Sequence, residues 1–152
     1  METGRVEAIF IAAEHGAMPE PVERVVALAG RGLEGDRNFW PGGDARPGRA
    51  LTLIQREALD GMAEEHGITL EPGASRRQVH TSGVDLNGLV GRRFRVGEVE
   101  CVGIELCEPC SHLESMTRPG VVKGLVHRGG LNADLLTDGE IAVGDEVRTA
   151  DD

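Results

Sequence analysis

The sequence predicts a mainly β fold of the α+β class: a small closed β-barrel with a few attached helices. The chain has 152 residues and is 39% hydrophobic, which suffices for one domain with a real core, so we expect residues 1–152 to form a single domain. Its 22 glycines are scattered between short apolar runs, as expected of tight turns between short strands. One stretch, residues 55–66, has clear helical spacing of its apolar residues.

Apolar, partly β-branched runs predict the strands of the first half, at residues 6–13, 22–29 and 51–54. A loop rich in glycine and charge, residues 30–44, separates the second strand from the third. The helix over 55–66 follows directly, and Gly67 is suited to end it in a left-handed C-terminal cap. This half therefore supplies three strands and the one clear helix.

The strands expected in the second half lie at residues 76–81, 92–96, 99–106, 131–136 and 140–147. Hairpin turns are expected at the Gly-Glu pair 97–98 and at the Asp-Gly pair 138–139. Residues 107–114 predict a turn followed by one helical turn, and residues 121–126 fit either a helix or a strand. Many short strands with few helices favour a barrel.

Charge and cysteine content narrow the class of protein. The net charge of −10 argues against a nucleic-acid binder, which needs a basic surface. The sequence lacks the long apolar run of a membrane-spanning helix, so no membrane partner is expected, and its start does not resemble a signal peptide. Three cysteines, an odd number, fit free thiols in a reducing compartment. We therefore expect a cytoplasmic protein.

A Cys-x-x-Cys motif from Cys107 to Cys110, followed by His112, allows four interpretations. A structural zinc site needs about four ligands, and the remaining candidates are unpaired. A thioredoxin-like redox pair is suggested by Pro109, but such a motif normally follows an early strand. In the third interpretation Cys110 alone acts as a thiolate at the start of a short helix, where backbone N–H groups favour the charged form. In the fourth, both cysteines are inert.

Three arginine-bearing stretches have the composition of an anion site. The loop at 30–37 combines glycines with arginines, and the stretch 76–86 places two adjacent arginines on an expected strand, where at most one faces a shared site. The stretch 127–130 sets His-Arg before a Gly-Gly turn. Each stretch also has a plain structural interpretation: a solvated loop for 30–37, a charged edge strand for 76–86 and an ordinary turn for 127–130. In the second stretch Gln78 can share the site with one arginine, and Thr81 and Ser82 offer hydroxyls to a phosphate.

Taken together, these stretches resemble the MOSC domain family, which is related to the C-terminal domain of molybdenum cofactor sulfurase. The stretches that carry the resemblance lie at residues 32–38, 51–54, 76–86, 89–97, 105–110, 128–133 and 141–145. Their order and spacing are more specific than any one of them, and they span most of the chain. The short length is similar to that of the stand-alone, YiiM-like bacterial members.

The resemblance implies a β-barrel with a pocket for a pterin-type molybdenum cofactor, and it matches the family's cysteine to Cys110. In molybdenum-binding relatives that thiolate ligates the metal, and in proposed sulfur carriers it bears a persulfide. The resemblance also implies that the segment from Arg76 to Ser82 helps to hold the cofactor; relatives usually have Asn where this chain has Gln78. The complete set of candidate cofactor contacts is Arg37, Arg76, Gln78, Thr81, Ser82, His112 and Arg128.

Three functions follow from this resemblance. The first is an oxidoreductase that removes oxygen from an N-hydroxylated small molecule, with an external electron-donor reductase because the sequence lacks a flavin or iron–sulfur motif. The second is a sulfur carrier that receives a persulfide on Cys110 from a cysteine desulfurase. Pyridoxal phosphate would belong to that partner, since the single lysine, Lys123, is a poor Schiff-base candidate. The third is a non-enzymatic cofactor-binding module.

Overall fold

A computed structural model describes residues 3–149. The strands of the first half are β1 (Thr3–Ile11), β2 (Glu20–Val22), β3 (Arg24–Leu28), β4 (Gly32–Leu33), β5 (Leu51–Gln55) and β6 (Val79–Ser82). Those of the second half are β7 (Arg93–Val96), β8 (Val99–Leu106), β9 (Leu131–Leu135), β10 (Gly139–Ala142) and β11 (Glu146–Thr149). The helices are α1 (Arg56–His66), α2 (Ser111–Met116) and α3 (Val121–Leu125), with a 3₁₀ turn at Asn87–Leu89.

Seven strands close into a barrel in the order β1, β11, β7, β8, β9, β5, β6. The ring is closed by antiparallel pairing of β11 with β1, where Gly4 lies opposite Val147. Neighbours in the ring are antiparallel except β5 and β6, which run parallel with Leu53 opposite Val79. Strand β2 extends the sheet beyond β1, and β10, β3 and β4 form a separate small sheet. The predicted closed barrel is confirmed.

Two apolar clusters lie on opposite sides of the barrel wall, because successive side chains of a strand point to opposite faces. The barrel interior holds fully buried residues such as Leu53 and Phe94. The next residue along β5, Ile54, packs outside the barrel against the helices, with Met62 of α1 and Leu125 of α3. The helices therefore cover the outer face of β5 and β6. No helix in residues 3–149 is long and apolar enough to cross a membrane.

Several local expectations are confirmed. Helix α1 ends where expected, because Gly67 adopts the left-handed conformation and its N–H bonds to the carbonyl of Ala63 at 3.0 Å. Strands β7 and β8 form the expected hairpin, with Val96 opposite Val99. A short helix, α2, follows the cysteine motif, and the ambiguous residues 121–126 contain helix α3.

Other expectations are wrong because long-range pairing overrides local pattern. The run at 22–29 is divided between β2, which pairs with β1, and β3, which pairs with β10. The pair 138–139 does not join a hairpin, because β9 lies between β5 and β8 while β10 belongs to the small sheet. The run at 140–147 breaks at Gly144, whose positive φ of 96° turns the chain from β10 into β11.

The strand expected at 76–81 begins later than its sequence suggests, because β6 starts at Val79. Arg76 instead has a left-handed backbone, with a φ of 64°, and its N–H bonds to the carbonyl of Gly73 at 3.0 Å. The two adjacent arginines therefore lie in a turn before the strand. Strand alternation does not determine where their side chains lie.

A pH-dependent stability follows from His80, which lies on the outer face of β6. Burial lowers the pKa of His80 from 6.5 to about 4, although a hydrogen bond with the Arg77 backbone opposes the shift. Between pH 6.5 and pH 4, the unfolded chain therefore takes up a proton on His80 while the folded chain does not. The contribution of His80 to the free energy of unfolding falls by up to about 3 kcal/mol as the pH drops from 7 to 4.

Denaturant titrations at both pH values of the wild type and of His80→Phe measure this contribution. We expect the stability of the variant to fall less over the same pH range, because its side chain does not titrate. Equal losses in the two proteins would contradict the burial of a neutral imidazole.

Candidate functional site

Cys110 presents its thiol to solvent between β8 and α2. It is the exposed one of the three free cysteines, and it forms the N-cap of α2 with an extended backbone. Its Sγ accepts a hydrogen bond from the backbone N–H of Leu113 at 3.5 Å. The thiol is thus held at a defined place on the surface and is open to a ligand.

The other two cysteines have different environments. Cys101 is fully buried in the barrel wall, where burial raises the pKa of its thiol to about 12. Cys107 is half-buried, and burial raises the pKa of its thiol while nearby Arg77 opposes the shift. Of the three thiols, Cys110 alone has the exposure that a metal ligand or sulfur acceptor requires.

The buried side chain of Arg77 anchors the cysteine loop, residues 107–110, to two other segments. Its Nε donates to the carbonyl of Gly129 at 2.7 Å, and its Nη1 donates to the carbonyl of Ser75 at 3.1 Å. Its Nη2 donates to the carbonyl of Cys107 at 2.8 Å. The guanidinium therefore ties three chain segments together and is engaged by protein groups rather than offered to a ligand.

A second set of contacts fixes the same loop from the α3 side. The backbone N–H of His127 donates to Oε1 of Glu108 at 2.7 Å, and its Nδ1 lies 2.9 Å from Oε2 of the same carboxylate. The N–H of Cys107 bonds to the carbonyl of Gly130 at 2.8 Å. Residues 107 and 108 are therefore tied to residues 127–130, which fixes the loop immediately before Cys110.

The Gly-Gly pair of the 127–130 stretch allows the backbone of the cysteine loop and of the barrel to approach closely. A Cβ at Gly129 would lie 2.5 Å from the carbonyl oxygen of Cys107, and one at Gly130 would lie 2.2 Å from that of Leu53. Gly130 also has a positive φ of 123°. The pair thus packs backbone against backbone between the barrel and the cysteine loop.

A second cluster surrounds the buried carboxylate of Asp36. Asp36 accepts hydrogen bonds from the N–H groups of Ala12 at 3.0 Å and Asn38 at 3.1 Å. Gln78 donates its Nε2 to Oδ2 of Asp36 at 2.7 Å, while its Oε1 accepts from the N–H of Thr52 at 2.9 Å. The amide of Gln78 therefore bridges the barrel to the loop that carries Arg37, and both of its ends are occupied by protein.

Arg37 and Arg76 form the cationic part of this cluster. Nη1 of Arg37 lies 3.7 Å from Oδ1 of Asp36. Burial lowers the pKa of Arg76 most, and the charge of Arg37 lowers it further. The charge of Asp36 acts in the opposite direction and raises this pKa. Arg37 thus pairs with the carboxylate, while Arg76 lies near enough to be affected by both charges, and this excess of positive charge suits an anionic ligand.

Two further candidates, Thr81 and Ser82, have hydroxyls that form contacts within the protein. The side chain of Thr81 is fully buried, with its Oγ1 3.5 Å from the carbonyl of Ile54, and Ser82 donates to Glu7 at 2.5 Å. The structure therefore engages both hydroxyls inside the protein.

Arg128 is turned toward α1. Its Nε donates to the carbonyl of Gly124 at 2.8 Å, and its Nη2 pairs with Glu65 at 3.1 Å. His112 is exposed on α2, two residues beyond Cys110. The structure thus brings Arg37, Arg76 and Gln78 into one cluster and keeps Arg128 in a separate ion pair.

Sequence reasoning missed two structural residues, Arg77 and Asp36. Arg77 was one of an adjacent arginine pair, and Asp36 was one acid in a charged loop. Apart from the local partners Ser75, Arg37 and Asn38, the groups that they contact lie between 24 and 52 residues away along the chain, and no local pattern identifies those. The Gly-Gly pair that receives Arg77 was the available signal, because such pairs mark close backbone approach.

Residues 3–149 contain no group of three or more His, Cys, Asp or Glu side chains able to hold a metal ion by themselves. The zinc interpretation of the cysteine motif has no support in this part of the chain. A metal that arrives with its own sulfur ligands needs fewer protein ligands, and one exposed thiol can supply one.

The molecule thus combines a seven-stranded barrel, an exposed cysteine on an anchored loop and a second cluster in which two arginines accompany one carboxylate. The family model of the MOSC domain matches residues 41–148, and the chain belongs to this family, which is linked to the molybdenum cofactor. No curated protein matches the sequence.

Solved structures share the fold at low sequence identity. The YUAD protein from Bacillus subtilis superposes with a TM-score of 0.77 at 18% identity, over 97% of each chain. YiiM from Geobacillus stearothermophilus gives 0.73 at 15% identity, over 97% of this chain and 75% of that one. YiiM from Escherichia coli gives a TM-score of 0.67 at 18% identity, over 97% of this chain and 70% of that one.

A pair of glycine variants tests the packing of the cysteine loop. We expect Gly130→Ala to lower the free energy of unfolding by about 3 kcal/mol or more, from backbone strain and a clash with the Leu53 carbonyl. Gly144→Ala is the matched control, because Gly144 also has a positive φ but open space around it, and should cost about 1 kcal/mol. Denaturant titration measures both. Equal costs would contradict the close approach.

Proposed function

We propose that this protein binds a pterin-type molybdenum cofactor, with Cys110 as the metal ligand, and reduces N-hydroxylated small molecules using an external electron donor. The exposed thiol of Cys110 on its anchored loop is the observation that carries the proposal. Membership in the MOSC family supports the cofactor.

The chemistry of the residues fits such a group. A thiolate is a soft ligand of the kind that thiophilic metals prefer, and Cys110 is exposed to receive one. The cofactor also carries a phosphate, which needs positive charge in a protein whose net charge is −10. Arg37 and Arg76 supply that charge with only one carboxylate, Asp36, between them.

In this proposal the chain's own residues have separate tasks. Cys110 holds the metal, and Arg37 and Arg76 hold the anionic end of the cofactor. Arg77 and Gln78 are positioning residues: the first fixes the cysteine loop, and the second fixes Asp36 against Arg37. When bound, the cofactor supplies the change of metal oxidation state that removal of oxygen from an N–O bond requires.

The sulfur carrier is the second candidate, because an exposed thiol with free approach also suits sulfur transfer. The Cys110 thiolate would attack the terminal sulfur of a persulfide on a cysteine desulfurase. A new S–S bond then forms on Cys110, and the desulfurase cysteine leaves as a thiolate.

A cofactor-binding module without catalysis is the third candidate, and it needs the same residues but neither turnover nor a persulfide.

Cofactor loading tests the proposal. The wild type, Cys110→Ala and Cys107→Ala are expressed in a host that makes molybdenum cofactor and purified without oxygen. We expect stoichiometric molybdenum and pterin in the wild type and in Cys107→Ala, the matched control, and loss of bound metal in Cys110→Ala. Arg76→Gln should retain less pterin than the wild type, because one guanidinium contact is lost.

Further outcomes separate the three functions. Multiple turnovers of an N-hydroxylated substrate with an artificial electron donor support the reductase. A gain of one sulfur atom on Cys110, seen by intact mass after incubation with a desulfurase and cysteine, supports the carrier. Loading without either supports the binding module. Absence of molybdenum from the wild type contradicts the cofactor proposal, and equal loss in both cysteine variants contradicts the separate role of Cys110.

A further inference from the structure

A pocket of about 370 Å³ lies in the long loop between β4 and β5. Its volume falls in the range of roughly 300–1,000 Å³ that small-molecule sites occupy. The residues that line it all belong to this loop: Asn38, Trp40, Asp44, Ala45, Arg46 and Arg49. None of these lining residues belongs to the cysteine loop, so the pocket is a separate place in the fold.

Two cations in the lining are unpaired. The guanidinium groups of Arg46 and Arg49 are exposed and form no hydrogen bond or ion pair with any group of residues 3–149. Asp44 is also exposed, and in this part of the chain it pairs with neither arginine. Two arginines and one aspartate give the pocket a formal charge of +1, in a protein whose net charge is −10. Each guanidinium presents a fork of N–H donors that matches a carboxylate or a phosphate.

The pocket also offers an aromatic surface. Trp40 is 56% exposed and is the one tryptophan of the chain. Its indole ring lies against Gly42, where a Cβ would come within 3.1 Å of Nε1 and 3.6 Å of Cδ1. The backbone of Gly42 thus supports the ring, while over half of the residue stays open to solvent. An open indole surface favours a flat ring as ligand, because aromatic rings stack in an offset arrangement.

Hydrogen bonds to neighbouring segments hold this loop in place. The N–H of Trp40 donates to the carbonyl of Arg31 at 2.7 Å, which ties the loop to the turn between β3 and β4. The N–H of Gly48 donates to Oδ1 of Asp134 at 2.7 Å, which ties the other end of the loop to β9. A pocket that exists before its ligand arrives keeps the ordering cost of binding low.

The pocket adjoins the cluster around Asp36, Arg37 and Arg76. The N–H of Asn38, a lining residue, donates to Oδ2 of Asp36 at 3.1 Å. Arg37 is the preceding residue and pairs with the same carboxylate. The excess positive charge of that cluster therefore adds to the attraction that the pocket has for an anion.

We propose that this pocket binds a planar aromatic anion. The ring lies on Trp40, and Arg46 and Arg49 bind the carboxylate or phosphate. The proposed function places the anionic end of the cofactor at Arg37 and Arg76, so this pocket is a further anion site, and its affinity does not depend on the metal ligand. Two sources of ligand have this chemistry: a free small molecule, and the ring-bearing, anionic cofactor itself.

An NMR titration of the full chain without cofactor tests the site. The probes are naphthalene-2-carboxylate and naphthalene-2-carboxamide, which share a flat ring but differ in charge. Because the chain has one tryptophan, the single indole N–H signal reports on Trp40 directly. We expect saturable shifts of this signal with the carboxylate. It should bind about tenfold more tightly than the carboxamide, which forms no charge-assisted ion pair with a guanidinium.

Variants assign the discrimination to the two arginines. Arg46→Gln and Arg49→Gln should each weaken carboxylate binding about tenfold and leave carboxamide binding unchanged. Arg95→Gln is the matched control, because Arg95 is exposed on β7, does not line the pocket, and its loss changes the net charge equally. Trp40→Leu should weaken both probes, as followed by the amide signal of Ala45.

Titration of the cofactor-loaded protein identifies the source of the anion. Unchanged affinity for the carboxylate after loading means that the occupant is a free small molecule. Loss of carboxylate binding on loading means that the cofactor occupies the pocket. Both results retain the pocket as a site for a planar anion, and 2-naphthyl phosphate in place of the carboxylate shows which anion binds more tightly.

Three results would overturn the proposal. One is the absence of saturable indole shifts with millimolar carboxylate, and another is equal affinity of the wild type for the two probes. The third is unchanged carboxylate affinity in both arginine variants. The comparison of the two probes uses the wild type without cofactor, so its failure leaves the proposed function untouched. In the same way, failure of cofactor loading leaves this test intact.

Discussion

The site depends on one buried guanidinium. Arg77 is 7% exposed, and burial of a charged group is costly unless its donors are satisfied. Its three hydrogen bonds end on backbone carbonyls from the turn before β6, the cysteine loop and the Gly-Gly turn. Because the partners are carbonyls, the contact fixes the path of the chain itself. The position of Cys110 relative to the barrel follows from that path.

The same short stretch before β6 also organises the cluster around Asp36, Arg37 and Arg76. Gln78 holds the carboxylate of Asp36, and Asp36 in turn lies beside Arg37. The left-handed conformation of Arg76 allows consecutive residues to serve different neighbours. Residues 76–78 therefore link the cysteine loop, the cationic cluster and the barrel.

Local patterns could predict some of this structure but not all of it. Helix α1 with its Gly67 cap and the β7–β8 hairpin depend on neighbours in the sequence, and the sequence was sufficient for both. The many short strands favour a barrel, the resemblance to the MOSC family implies one, and the closed barrel is confirmed. The roles of Arg77 and Gln78 depend on partners 26 or more residues away, apart from the Ser75 carbonyl. Alternation and turn propensity contain no information about such partners.

Native-state alkylation of Cys107 in Arg77 variants tests the central role of this guanidinium most directly. The rate is measured by peptide mass spectrometry as a function of pH, with Cys110 as the internal reference, so that the reactivity of the Cys107 thiolate is compared separately from its pKa, which the charge of Arg77 lowers. Arg77→Met keeps much of the apolar volume but removes every donor, and should free the cysteine loop. The account predicts at least about tenfold faster labelling of Cys107, since hydrogen bonds from a charged group are each worth 1.5–3 kcal/mol. The labelling rate of Cys107 in Arg77→Lys should lie between those of the wild type and Arg77→Met. An unchanged rate in a folded Arg77→Met protein would contradict the account.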